Sequence, residues 1–214
     1  MTPFLVVLSS PSGGGKTTIA RQLLESRKDI GYSVSATTRA PRPGERDGAD
    51  YHFLERGDFL RRVEAGEFLE YATYGGELYG TLRAEVERVL GSGRHVVLDI
   101  EVVGARQVRN RMADAIHVFV LPPSAEVLVQ RLLRRDTEDA ERVRARLTHA
   151  AEELAAVGEY DYAVVNDDLA VAVRQVAAII DAEGHRVPRQ RELEAFTDAL
   201  RQGVAAESAR LGVK

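Results

Sequence analysis

The run Ser10-Pro11-Ser12-Gly13-Gly14-Gly15-Lys16-Thr17 decides how this chain is read. Phe4-Leu5-Val6-Val7-Leu8 precedes it. That run is apolar throughout and has no helical period, as expected of a strand buried on both faces of a parallel sheet. Beyond it, Ile19, Leu23 and Leu24 fall on one face of a helix expected from Thr18 to Arg27. Strand, glycine-rich turn and helix N-terminus, in that order, make a cradle for phosphate, a P-loop. The glycines let backbone N–H groups approach phosphate oxygens with no side chain in the way. The helix end adds positive partial charge. Ser12, Gly13, Gly14, Gly15, Lys16, Thr17 and Thr18 are therefore candidate ATP-binding residues. Lys16 is placed for the β- and γ-phosphates and the Thr17 hydroxyl for Mg²⁺. Ser10 stands where the strict pattern has glycine, so the match by itself is partial.

Further buried strands are expected at Arg94 to Asp99, Ala115 to Leu121 and Tyr162 to Val165. Helices are expected at Arg83 to Leu90, Gly104 to Met112, Ser124 to Arg134 and Leu169 to Ala182. Alternation of this kind predicts an α/β fold, a parallel sheet flanked by helices. Asp99 ends its strand at the carboxyl edge, where such sheets bind ligands, and is placed to act on Mg²⁺ or its waters. Two segments break the alternation. Tyr32 to Thr81 is rich in Gly, Pro, Arg and Tyr, with strand-like pieces and a Gly75-Gly76 turn signal, and reads as an inserted mixed lobe. Arg131 to Arg146 is dense in arginine and fits a solvated helical face or a mobile lid. From Pro188 onward, Leu193, Phe196, Leu200 and Val204 recur at helical spacing. This tail is expected to pack on the core as an amphipathic helix.

Composition narrows the function classes. Apolar residues are 44% of the chain, enough to bury a core. The net charge of −4 argues against a general nucleic-acid binder. There is no cysteine, hence no thiolate metal site. His52, His95, His117, His149 and His185 are far apart in the sequence and read as ordinary surface or core residues. No apolar run reaches membrane-spanning length, and the N-terminal segment reads as a strand rather than an export signal. A soluble, cytoplasmic protein without membrane or nucleic-acid partners is the expectation.

Arg39 and Arg42 bracket Pro41 in the loop Ser33 to Glu45, and guanidinium groups suit bidentate phosphate contacts. Several stretches now line up in order and spacing: the P-loop, Ser35-Ala36-Thr37-Thr38-Arg39-Ala40-Pro41-Arg42-Pro43-Gly44-Glu45, Tyr51-His52-Phe53, Phe68-Leu69-Glu70, Tyr79-Gly80-Thr81, Leu98-Asp99-Ile100-Glu101 and Glu159 to Asp167. Over Phe4 to Arg191 the chain resembles the guanylate kinases, P-loop nucleoside monophosphate kinases that use ATP and Mg²⁺ to phosphorylate GMP. The resemblance implies acceptance of dGMP as well.

It also implies residue roles. Arg39, Arg42, Tyr51 and Tyr79 match positions that hold the GMP phosphate. Glu70 matches the carboxylate that reads guanine, Ser35 a hydroxyl on guanine O6, and Thr81 a further base contact. Asp99 and Glu101 fall on the GMP side. Arg135 and Arg146 match lid arginines that close on the transferring phosphoryl group and, with Lys16 and Arg39, form the implied catalytic set. Arg131 matches a further lid arginine, and Asn166 the contact to the donor adenine. The implied division is a core of 1–33, 82–123 and 150–187, a GMP lobe at 34–81, a lid at 124–149 and a helical tail at 188–214. The chain departs from the pattern at Glu101, where the family often has Asp, and at Val103, where it commonly has Gln. Its lid start, Arg131-Leu132-Leu133-Arg134-Arg135-Asp136, lacks the family's glycines and predicts a stiffer hinge. A kinase for another nucleoside monophosphate, a non-catalytic scaffold and a regulatory GTPase are the competing readings. Glu70 and Ser35 argue against the first, the intact Lys16, Thr17 and Asp99 against the second, and the lack of an Asn-Lys-x-Asp motif against the third. Oligomeric state is left open.

Overall fold

The computed structural model describes residues 2–133 and 140–212. In chain order the elements are β1 (Leu5–Ser9), α1 (Lys16–Ser26), β2 (Ile30–Gly31), β3 (Ala36–Thr37), β4 (His52–Phe53), α2 (Arg56–Glu64), β5 (Phe68–Tyr74), β6 (Glu77–Leu82), α3 (Arg83–Gly91), β7 (His95–Asp99), α4 (Val102–Arg111), β8 (Ile116–Leu121), α5 (Ala125–Leu133), α6 (Ala140–Ala155), β9 (Tyr162–Val165), α7 (Leu169–Gly184) and α8 (Leu193–Leu211).

The main sheet runs β2-β7-β1-β8-β9, with every neighbouring pair parallel. Its central strand explains its own sequence. All five residues of β1 are buried. Val6 and Leu8 enter a cluster with Ile19 and Leu23 of α1 and Val176 and Ile180 of α7. Leu5 and Val7 point the other way, toward Val86 and Val89 of α3 and Ala105 and Val108 of α4. Period-two alternation therefore feeds two cores, and a strand covered on both faces has no place for a polar side. Each such Leu or Val contributes about 1.5–3 kcal/mol on burial. The chain leaves β1 toward β2 on one side, and β8 lies on the other. The carboxyl end of β1 is thus a switch point, where open α/β sheets form a ligand crevice.

The second sheet, β4-β3-β6-β5, is mixed: β3 and β4 are parallel, while β3/β6 and β5/β6 are antiparallel. Between β5 and β6, Gly75 and Gly76 both have positive φ (60° and 86°), which a two-residue hairpin turn of matching twist requires. Phe59 of α2 stacks on Phe68 of β5 at 4.3 Å between ring centroids. With Ala36, Leu78 and Leu82 they form the small core of this lobe. The outer edge of β5 is met by α4. The Gln107 amide accepts the Tyr71 N–H at 3.2 Å and donates to the Tyr71 carbonyl at 2.7 Å, while Arg111 donates to the carbonyls of Phe68 and Leu69. Side chains here do the work of a neighbouring strand, covering an edge that would otherwise be open to pairing.

Three expectations need correction. Strand β9 is not buried on both faces: it is the edge of the sheet, and Ala163 and Val165 are exposed. The sheet has a fifth strand, β2, whose two residues are too few to carry a periodicity. The tail does form a helix, α8, but it buries none of its residues: Phe196, Leu200 and Val204 are 60%, 53% and 70% exposed. A 19-residue helix satisfies its own backbone hydrogen bonds, so its apolar stripe needs no contact with the core to exist. Among the described residues no helix is long and apolar enough to cross a membrane.

Candidate active site

The phosphate loop turns between β1 and α1. Gly13 and Gly15 take φ of 83° and 98°, values that favour glycine. At Gly15 a side chain is excluded twice over, because a Cβ would lie 2.3 Å from Asn166 Nδ2. The loop closes on itself through Gly14 N–H to the Pro11 carbonyl at 2.8 Å. Asn166, buried just past β9, donates to the Gly14 carbonyl at 3.0 Å. Ile19 N–H bonds the Gly15 carbonyl, so the amides of Lys16, Thr17 and Thr18 precede the first closed turn and point past the helix end. Lys16 is half-buried, while Thr17 and Thr18 are exposed.

A cleft of about 350 Å³ opens between the two sheets. Lys16 and Thr17 come to it from the loop, Asp99 and Glu101 from the carboxyl end of β7, and Ser35, Tyr51, Glu70 and Tyr79 from the lobe. The chemistry at its closed end is set by Glu70. This carboxylate is 5% exposed, and Thr81 Oγ1, directly across the strand pair, donates to Oε1 at 2.7 Å. Burial pushes its pKa up to about 7, against the lowering effect of the Thr81 bonds and of Arg111, while Glu101 adds to the rise. Oε2 faces Gly104, where a Cβ would come within 2.6 Å.

On the lobe's flank, the Arg39 guanidinium bonds Glu45 at 2.8 Å and lies 5.5 Å from the Tyr51 ring centre. Glu45, followed by Tyr79, stabilises its charge and raises its pKa. Glu45 also accepts the Arg42 N–H at 2.7 Å. One carboxylate thus shapes the whole Pro41 turn. Arg42 itself is exposed, and neither arginine lines the cleft in this conformation.

A second depression, of about 400 Å³, adjoins the loop on its other side, lined by Gly13, Gly15, Thr18, Arg131, Asn166 and Asp167 among others. Arg131 makes long contacts there, 3.5 Å to the Gly14 carbonyl and 3.4 Å to that of Asn166. Arg146 is half-buried on α6. Arg135 lies outside the described residues.

Thr17 and Asp99 offer hard oxygen donors on the same cleft, a set that fits Mg²⁺. Elsewhere, Glu101, His149 and Glu153 bring one ligand atom each within 4.8 Å of one another, with Glu153 already bonded to the Ser12 N–H. Other residues enter the site that no motif marked. Tyr32 and Tyr74 line the cleft, Gly104 makes room for Glu70, and Gln107 and Arg111 fix the backbone on either side of Glu70.

Comparison with known proteins bears directly on this geometry. Residues 3–183 match the family model described as guanylate kinase. A guanylate kinase from Clostridium perfringens is 44% identical over 200 residues, covering 92% of this chain and 93% of the relative. One from Symbiobacterium thermophilum is 51% identical over 185 residues, 86% of this chain and 88% of its own. Among solved structures, guanylate kinase from Anaplasma phagocytophilum superposes with a TM-score of 0.74 at 35% identity, covering 92% of this chain and 95% of that one. With the phosphate loop and the buried carboxylate sharing one cleft, the chain belongs to the guanylate kinase family, whose reaction is transfer of the ATP γ-phosphoryl group to GMP.

Proposed function

We propose that this cleft carries out the transfer with the residues named above, and that dGMP serves as an acceptor beside GMP. The observation that carries the assignment is the buried Glu70 carboxylate, held by Thr81 and open to the same cleft as Lys16. An ionised carboxylate only accepts hydrogen bonds. It pairs with the N1–H and exocyclic amine of guanine together, whereas adenine has no donor at N1. Ser35 supplies a hydroxyl for O6. Such a site rejects the wrong base by about 10⁴-fold, because its polar groups are left unpaired.

The acceptor needs no general base. Its phosphate ionises a second time near pH 6 and is largely dianionic at neutral pH. The work is to bring two anions into line. Lys16 and the arginines Arg39, Arg42 and Arg146 screen that repulsion and stabilise charge on a loose transition state, and Arg135 is assigned with them. Mg²⁺, held by Thr17 and through water by Asp99, would supply further charge neutralisation on the ATP phosphates. Asn166 and the depression beside it take the donor adenine. Closure of 34–81 and 124–149 over the core excludes water that would hydrolyse ATP. The cytoplasm, where ATP and GMP meet, is the compartment this assignment calls for.

A coupled assay with GMP, dGMP, AMP, UMP and dTMP tests the assignment. GMP and dGMP should lead AMP by several orders of magnitude in kcat/KM, and preference for any acceptor without guanine overturns it.

A further inference from the structure

Glu153 is a buried carboxylate with no role in the scheme above. It sits on α6, 141 positions along the chain from Ser12, yet its Oε2 accepts the Ser12 N–H at 2.9 Å. Only 4% of it is exposed. Burial raises its pKa, the Ser12 bond, His149 and Lys16 oppose that rise, and Glu101 adds to it. His149 Nε2 lies 3.6 Å from its other oxygen. Burying a carboxylate beside a loop built for anions is costly. Its placement therefore calls for a return that packing alone does not give.

The helix geometry supplies one. Arg146 and Glu153 are seven residues apart on α6. Seven residues are about two turns, so the two side chains share a face with about 10.5 Å of rise between them. Leu128 and Leu132 of α5 pack on Leu147, Ala150 and Leu154 of α6, which fixes the helices to each other. The α5 side chains also stand beside the phosphate loop: a Cβ added at Gly13 would lie 3.5–3.7 Å from Arg131, Leu132 and Leu128. Apolar contact resists separation but tolerates sliding, whereas the Ser12 bond is directional and sets where α6 stops.

We infer that Glu153 is a positioning residue: by seating α6 on the Ser12 N–H it sets the reach of Arg146 toward the transferring phosphoryl group, and it acts on the reaction through Arg146. This rests on the reading of Arg146 as a group that serves the transfer.

A double-mutant cycle on the full chain tests it, reading single-turnover phosphoryl transfer from Mg-ATP to GMP, both KM values and the melting midpoint. Arg146→Ala is expected to slow transfer by about 10³-fold. Glu153→Ala should slow it at least about tenfold, with both KM values within about threefold of the parent. The double variant should be no slower than Arg146→Ala within about twofold, because the two residues act as one unit. Glu153→Gln, which keeps an acceptor oxygen for Ser12, should recover most of the rate. If Glu153→Ala does not fold, Glu153→Asp takes its place in the cycle, since one methylene less breaks the contact while keeping the charge. Parental transfer in Glu153→Ala overturns the inference. So does an equal loss from the Glu153 change with and without Arg146, or failure of Glu153→Gln to recover. Parental transfer in Arg146→Ala overturns the underlying reading of Arg146, and the inference with it.

Discussion

The phosphate loop and the proposed guanine pocket face one cleft but are built by opposite means. The loop is a short continuous stretch whose binding groups are backbone amides at a helix end, shaped by Gly13 and Gly15. The pocket takes Ser35 from the β2–β3 link, Glu70 from β5, Thr81 from β6 and Gly104 from α4. A phosphate offers many equivalent lone pairs, so a curved backbone can hold it. A base edge must be met donor for acceptor, and that calls for a buried side chain whose charge its surroundings control. On the proposed assignment the loop binds a class of ligand, whereas the pocket selects a member of a class.

The largest effect should come from the loop's one charged side chain. Lys16→Ala is expected to fold with a melting midpoint within a few degrees of the parent, because Lys16 is half-buried at the rim of a cleft. Turnover should fall by about 10⁴-fold, as charge on the transferring group loses the cation assigned to it. A steady-state assay and a melting curve decide it. Retained turnover would mean that the backbone cradle works alone, and the contrast with the pocket would be sharper than drawn.

Glu70→Gln attacks the other side. An amide nitrogen turned toward guanine meets a donor with a donor, so kcat/KM for GMP should drop by about 10²-fold. In the parent, a pKa of about 7 means that lowering the pH protonates Glu70, the group proposed to read the base. KM for GMP should therefore climb as pH falls below 7, approaching tenfold per unit. In Glu70→Gln that component should vanish, leaving only the titration of the phosphate. Stability moves the opposite way. The folded pKa is raised from 4.5 to about 7, so the stability present below pH 4.5 is lost as pH rises through 7. The Gln variant lacks this penalty and should be more stable at pH 8 by up to about 3 kcal/mol. Denaturant titrations of both proteins at pH 4.5 and pH 8 test the sign.

How far the sequence could be read follows the same division. The loop and strands β1, β7, β8 and β9 are local patterns: glycines at a strand end and apolar runs with no polar side. Strand β2 has two residues and is defined only by pairing with β7. Glu70 and Thr81 were legible only through family resemblance, since nothing in Phe68-Leu69-Glu70 states that its carboxylate is buried. Gly104, Gln107 and Arg111 carried no signal at all. Their roles depend on β5, more than 30 residues earlier in the chain. Glu153 was hidden in the same way by its distance from Ser12. The tail misled because amphipathic spacing says that a face is apolar, not that anything covers it.

Gly104→Ala should have a smaller effect than either charged change. A methyl group 2.6 Å from Glu70 Oε2 forces the carboxylate to shift by several tenths of an ångström while leaving its charge intact. KM for GMP should rise about tenfold, with KM for ATP unchanged, because the loop's amides are untouched. If both KM values rise together, the pocket and the loop are mechanically coupled and the division between them fails.

The smallest expected effect contrasts the two kinds of apolar residue this fold holds. Leu8 is wholly buried in β1, and its truncation to Ala should cost about 2–5 kcal/mol. Leu200 on α8 is 53% exposed. Leu200→Ala leaves helix propensity almost unchanged and should alter stability by less than about 0.5 kcal/mol. Denaturant midpoints of the two variants measure the difference. A cost above about 1.5 kcal/mol at Leu200 would mean that the α8 stripe is covered in solution. Its dependence on protein concentration would then separate a second copy of the chain from docking within one.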